Sequence, residues 1–491
     1  MFANDHGAVP PHTMKRLFHR YGKRPATAVI ALVTLVAASG VSATPKIQTW
    51  HTDSGAKVLY VAAPDLPMVD VRVVFAAGSA RDGDKPGLAS MTAGMLTEGA
   101  GGLSADRLAE RVESVGAQLS TGADKDMASA SLRSLTEANA LDIGVDSLTK
   151  VLTQPDFPPQ DFERVRENTL IGLRRAEQDP ASVGSKALYK AIYGHHPYAS
   201  DPSGTTDSVA ALTRDELIAF HRRYYTAPNA TVAIVGAVDR PQAERLAERI
   251  TAGLPKGEAA PPLPPVPDLS VGKLERIDFP SSQTHVYAGE PGMSRSDPDY
   301  FALYVGNHIL GGSGLVSLLM NEVREKRGLS YSAYSYIAPM SVRGPMIIGL
   351  QTKNDQADQA SHVMLDTLRR FVAEGPTDAE LEAAVKNITG GFPLRIASNS
   401  QVVQYLAVIG FYDMPLDHLD RFNERVAAVT KEQIRDAFRR RVHPDRLAIV
   451  LVGGEQDEQP VAHSETAPAP SVKPAKVVPA VAPSPAADEQ G

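Results

Sequence analysis

Apolar and polar positions alternate along "VDVRVVFAAGS" (69–79), with Val69, Val71, Val73 and Phe75 on one face and Asp70 and Arg72 on the other. That period of two predicts a strand in a sheet with one wet face. Elsewhere the apolar period lengthens to that of long amphipathic helices. "TRDELIAFHRRYYTAPNATVAIVGAV" (Thr213–Val238) and "TKEQIRDAFRRRVHPDRLAIVLVGG" (Thr430–Gly454) follow one plan. Each is a helix opening on a Thr cap, a turn containing Pro, and a β-branched strand closing on Gly. "PPQDFERVRENTLIGL" (158–173) and "GPTDAELEAAVKNITGGF" (375–392) also match in kind, each opening a helix after Pro with an acidic first turn. The offset from Thr213 to Thr430 sets the period of an internal duplication, 430 − 213 = 217 residues. The competing explanation is chance similarity between ordinary helix-strand units. The expected fold is α+β: two homologous domains, each a mostly antiparallel sheet covered by helices on one face.

Composition narrows the function classes. At 491 residues with 43% hydrophobic content, the chain can bury several cores. A net charge of −7, with basic residues scattered along the chain, argues against nucleic acid as a partner. The absence of cysteine excludes disulfides, thiolate metal sites and a cysteine nucleophile.

Lys15, Arg16, Arg20, Lys23 and Arg24 precede the uncharged stretch 26–43, which ends in Val41-Ser42-Ala43. This is the pattern of a secretory signal, with cleavage expected after Ala43 and Met14 as the expected start of translation. The alternative is an uncleaved N-terminal anchor, and either exports the chain. An exported chain without cysteine fits a bacterial periplasm. Pro-rich segments then divide the mature chain into an N-terminal domain (44–255), a linker (256–270), a C-terminal domain (271–456) and a Pro/Ala-rich tail (457–491) expected to be disordered.

The blocks "DGDKPGLASMTAGMLTEGAGGLSADRLAERVESVGAQLS" and "MNEVREKRGLSYSAYS", in this order within the duplicated frame, resemble the pitrilysin/insulinase metallopeptidases. The resemblance is to the mitochondrial-processing-peptidase-like branch and runs from about Thr44 to Gly454. Active members carry His-x-x-Glu-His on a helix after a Gly-Leu turn; the histidines share a face and the glutamate activates water. Matching Gly87–Ala89 and Met95 to that pattern puts Ser90, Ala93 and Gly94 in the three positions. None supplies a competent ligand or base. The family's third ligand, a glutamate, falls on Ile171 or Gly172, with Glu167 the nearest acid. The resemblance therefore implies a degenerate site, with no metal and no catalysis in this chain. Adjacent His195 and His196 lack an acid at helical spacing and read as a turn pair.

The same resemblance places a substrate-carbonyl-binding pair at Arg324 and Tyr331. Local pattern agrees: "LVSLLMNEVREK" is helical, Gly328 is a C-terminal cap, and "LSYSAYSYI" alternates as a strand. The alternative is a helix-terminal arginine and an ordinary strand tyrosine. Gly311, Gly312, Ser313 and Gly314 lack nucleotide-loop spacing. They are similar to the glycine-rich loop that the family's non-catalytic subunit leans over its chamber; alternatively they form only a turn. The resemblance implies a heterodimer in which a homologous subunit bearing His-x-x-Glu-His holds zinc, acting on peptides or unfolded polypeptide. A scaffold role without proteolysis is the rival. A hydrolase with an unrelated site has little support, because no Gly-x-Ser-x-Gly elbow is present.

Overall fold

The computed structural model describes residues 46–454; the expected signal and tail lie outside them. The strands of the first large sheet are β1 (Gln48–His51), β2 (Lys57–Ala62), β3 (Met68–Phe75), β4 (Gln118–Ala123), β5 (Ala128–Leu135) and β6 (Ala230–Gly236), in the order β1-β2-β6-β3-β5-β4. The second sheet holds β7 (Lys273–Ile277), β8 (Gln283–Pro291), β9 (Ser330–Ile337), β10 (Pro345–Lys353) and β11 (Ala448–Val452), in the order β9-β10-β8-β11-β7. Both are antiparallel except for one pair each, β2 beside β6 and β7 beside β11. These parallel pairs occupy the same place in the two halves, as the duplication requires.

The helices that build the candidate site and join the halves are α1 (Leu88–Met95), α2 (Pro159–Ala176), α3 (Pro180–Tyr193), α4 (Asp378–Arg395) and α5 (Asn399–Phe411). Local chemistry fixes the matching ends. Thr377 caps α4 by accepting from the Glu380 N–H, and the Glu380 side chain accepts in return from the Thr377 N–H. Thr213 with Glu216 and Thr430 with Gln433 form the same reciprocal cap at the starts of the two repeat helices.

Each sheet carries its own half's helices on one face, as expected. The opposite face is not open to solvent, as the alternation suggested, because the halves exchange helices. α5, from the C-terminal half, lies across β2, β3 and β6, while α3, from the N-terminal half, lies across β8 and β11. Leu59, Val61, Val74, Ala233 and Val235 of the first sheet thereby join one core with Val402, Leu406 and the C-terminal helices. Two glycines permit this approach. A Cβ on Gly410 would stand 2.4 Å from Leu59 Cδ1, and one on Gly184 would stand 2.5 Å from the Tyr287 ring.

A buried carboxylate clasps the same interface. Asp126, at the β4–β5 turn, accepts from the hydroxyls of Tyr198 (2.5 Å) and Tyr412 (2.9 Å) and from the Ser341 N–H (2.8 Å). The interdomain segment is docked as well. Val266 is buried against Leu188, Ile192 and Tyr287, and Arg343 donates to its carbonyl at 2.6 Å.

Two core histidines tie stability to pH. Burial pushes His221 down to about 4, against the opposing hydrogen bond from its Nε2–H to the Leu152 carbonyl, 2.9 Å away. Burial, reinforced by Arg425 and Arg295, holds His418 at about 4 as well. Both pKa values are lowered in the fold, so the unfolded chain takes up protons first. Their stabilisation is complete above pH 6.5 and is lost as pH falls toward 4. At pH 5 each is expected to have cost about 2 kcal/mol relative to neutral pH. The urea midpoint should fall between pH 7 and 5, and His221→Gln should flatten that slope; a slope unchanged by the substitution would contradict this origin.

Candidate functional site

α1 begins where Gly87 adopts φ 95°, a left-handed turn that a side chain would strain. The amides of the first turn that lack a helical partner are met by Asp82, whose carboxylate accepts from the Gly87 and Ala89 N–H groups at 2.8 Å each. Burial pushes the Asp82 carboxyl up to about 7, although these donors and Lys125 oppose the shift. The helix that would carry the metal ligands is thus firmly placed, but its side chains are not ligands. The Ser90 hydroxyl is committed to the Pro202 carbonyl at 2.6 Å. Ala93 is fully buried, and its own carbonyl accepts from Thr121 Oγ1 at 2.7 Å. Gly94 is exposed, with open space where a Cβ would project.

α2 packs beside α1 through Thr169 Oγ1, 3.4 Å from Met91 Sδ. One turn further, Gly172 lines a cleft of about 490 Å³ with Thr169, Lys186, Asp201 and Ser203. Ser90 is bonded to Pro202, between those last two, but Ser90, Ala93 and Gly94 do not themselves line the cleft. Ile171 is 42% exposed and Glu167 is exposed, but neither lines this cleft. A zinc ion requires nitrogen, oxygen or sulfur donors converging at about 2.0–2.3 Å, and Ala93, Gly94 and Gly172 have no side-chain donor. The residues present do not fit zinc. Among the described residues, no group of three or more His, Asp or Glu side chains is placed to hold a metal.

His195 and His196 do not act together. His196 accepts the Tyr198 N–H at Nδ1 (3.1 Å) and donates from Nε2 to the Pro264 carbonyl (3.0 Å), a structural turn, whereas His195 is exposed.

The second group lies in the C-terminal half. Arg324 sits in a widened helical turn, Asn321–Glu325, and Tyr331 is the second residue of β9. The Arg324 guanidinium stands over the Tyr331 ring, 4.7 Å from its centroid, and the ring is 83% exposed. The two side chains are therefore in contact and accessible. Sequence reasoning missed the buried carboxylate of the same turn. Glu322, with its side chain 8% exposed, accepts from Lys326 (2.9 Å), Arg327 (2.7 Å) and Arg370 (2.9 Å). Burial would raise its pKa, but these three cations prevail and bring it down to about 2. Gly328, at φ 61°, then donates its N–H to the Arg324 carbonyl and turns the chain into β9.

The glycine-rich segment adjoins this pair through β9. Gly311 is packed so that a Cβ would stand 2.4 Å from the Ser335 nitrogen; Gly312 lies against Asn307, and Gly314 adopts φ 62°. Ser313 joins two helical turns, and the segment lifts Leu315 and Val316 into solvent at 64% and 82% exposure. No hydrogen bond, ion pair or ring contact links Arg324 or Tyr331 to Ser90 or Gly172 among the described residues.

The duplicated sheet-and-helix scaffold, with Ser90, Ala93, Gly94 and Gly172 in one half and the Arg324/Tyr331 contact in the other, is of the peptidase-like class that its sequence blocks resemble. The comparisons agree. Residues 57–206 match the model of the insulinase family (peptidase family M16), and residues 211–388 match that of the peptidase M16 inactive domain. An uncharacterized zinc protease of Streptomyces coelicolor is 29% identical over 326 residues, covering 65% of this chain and 70% of that protein. A non-peptidase homolog from Helicobacter pylori is 24% identical over 405 residues, 82% of this chain and 93% of that one. The crystal structure of a peptidase M16 inactive domain from Pseudomonas fluorescens superposes with a TM-score of 0.81 at 39% identity, covering 83% of this chain and 98% of that one. The chain belongs to the M16 insulinase family of peptidases and carries both of its domain types.

Proposed function

We propose that this chain is the non-catalytic subunit of a heterodimeric zinc metallopeptidase of the periplasm, similar in kind to the mitochondrial-processing-peptidase branch. One observation carries the reading: Arg324 and Tyr331 stay in contact and accessible while Ala93, Gly94 and Gly172 have no side-chain donor and the Ser90 hydroxyl is committed to Pro202. The Helicobacter relative named a non-peptidase and the Pseudomonas structure named an inactive domain support it.

In this reading a homologous partner bearing His-x-x-Glu-His binds zinc, and across the chamber Arg324 and Tyr331 reach the scissile carbonyl of a peptide or unfolded segment. The partner's metal, when bound, supplies Lewis acidity and an activated water. This chain's guanidinium and phenol donate hydrogen bonds to the carbonyl oxygen as it gains negative charge. The loop bearing Gly311, Gly312, Ser313 and Gly314 contributes Leu315 and Val316 as chamber wall. The test is replacement of both donors within the purified complex; peptidase activity unchanged by it would leave a scaffold role instead.

A further inference from the structure

The duplication exposes a missing strand. In the N-terminal half β2 runs parallel to β6, and its outer side is closed by antiparallel β1, from Gln48 opposite Tyr60 to His51 opposite Lys57. β7 takes the place of β2 in the C-terminal half, parallel to β11 from Lys273 beside Ala448 to Ile277 beside Val452. No strand lies outside it among the described residues. Lys273, Leu274, Glu275 and Arg276 are all exposed, and Val271 and Leu274 are each 64% exposed. The other edge of this sheet, β9, is blunted by an irregularity between Ser330 and Ala333, a usual protection of free edges, whereas β7 is regular along its length.

We propose that β7 pairs antiparallel with β7 of a second copy of this chain, about a two-fold axis at Leu274, joining two C-terminal sheets into one. The backbone and the side chains select this register together. The Lys273 N–H points inward to the Leu447 carbonyl (3.0 Å), and the Ile277 carbonyl points inward to the Gly453 N–H (3.1 Å). Because strand residues alternate, Leu274 and Arg276 turn their N–H and C=O groups outward. Centring on Leu274 makes it a hydrogen-bonded pair with its own copy and pairs Gly272 with Arg276, so outward donors meet outward acceptors. The same register sets Lys273 opposite Glu275 twice over, at the closer, non-hydrogen-bonded positions where opposite charges attract most. It also brings Val271 to Ile277 and Leu274 to Leu274. An isologous contact needs this self-complementarity. Lys273 Nζ donates to the Ala191 carbonyl at 3.0 Å, and Arg276 pairs with Asp358; neither contact occupies the strand's outer main chain.

The pairing is independent of the proposed catalytic role. It is tested by light scattering on the full mature chain and by cross-linking. The chain has no cysteine, so Leu274→Cys introduces a single thiol. Hydrogen-bonded antiparallel partners have Cα atoms about 5.5 Å apart, within disulfide range. The expected result is a dimer that oxidised Leu274→Cys locks covalently. Lys273→Glu, which sets acid opposite acid, should weaken it at least about tenfold, and adding Glu275→Lys should restore it. A monomer at high micromolar concentration would overturn the proposal. So would a dimer that ignores Lys273→Glu and leaves Leu274→Cys uncross-linked, whether the edge is then bare or covered by another protein.

Discussion

Replacing Arg324 with Ala and Tyr331 with Phe is expected to lower kcat/KM of the purified complex on an unstructured peptide by about 100- to 1000-fold. One preorganised donor to a developing oxyanion is worth about 3 kcal/mol, roughly a hundredfold. The two losses should not add fully, because the guanidinium lies over the ring and each side chain orients the other. The loss should fall mainly on kcat, since the donors are strongest when the oxygen carries charge. Thermal stability of the isolated chain should barely change, since the Tyr331 ring is 83% exposed and the Arg324 side chain 31% exposed. A complex that keeps its activity after both changes would remove substrate binding from this chain and leave it a scaffold.

The lost ligand positions on α1 and α2 support a second large effect. Chelated zinc is expected to be absent from the isolated chain after dialysis, yet to appear at one ion per chain in the triple variant Ser90→His, Gly94→His, Gly172→Glu. Open space stands at the Cβ positions of both glycines, and α1 and α2 are already in contact through Met91 and Thr169. Ser90→His sacrifices the hydroxyl bond to Pro202, a cost of about 1 kcal/mol. Three converging ligands should outweigh that, raising zinc affinity at least about a thousandfold over the parent chain. Ala93 is left alone because it is fully buried and a glutamate there would find no room. Elemental analysis with a folded-state control reads the outcome. A folded variant without zinc would show that the two helices no longer stand in ligand geometry.

Sequence patterning reached the repeat unit because its signals are local. Thr213 and Thr430 cap helices through their own third residues, and the strands after them alternate or run β-branched. The positions of Ser90, Gly94, Arg324 and Tyr331 came from the family resemblance of short blocks, each of which spans only a turn of helix or a tight turn and so keeps its register. The exchanged helices were not legible. α3 is an ordinary amphipathic helix and α5 a largely apolar one, but neither sequence says which sheet it covers; the close approach at Gly184 and Gly410 does. Alternation along β3 suggested a wet face for the same reason, since periodicity cannot report that another half closes it. Asp82, Asp126 and Glu322 were missed because a buried carboxylate is recognised by its partners, and these lie as far away as Tyr412 and Arg370.

The central claim is that half of a peptidase site survives here to serve a metal held by another chain. The most direct measurement is native purification of the C-terminally tagged chain from its own cell, with protein identification and zinc analysis of the same sample. The expected result is one M16 protein bearing His-x-x-Glu-His, present in equal amount, with one zinc per pair. Recovery of the chain without such a partner, or with zinc bound to the chain alone, would contradict the claim.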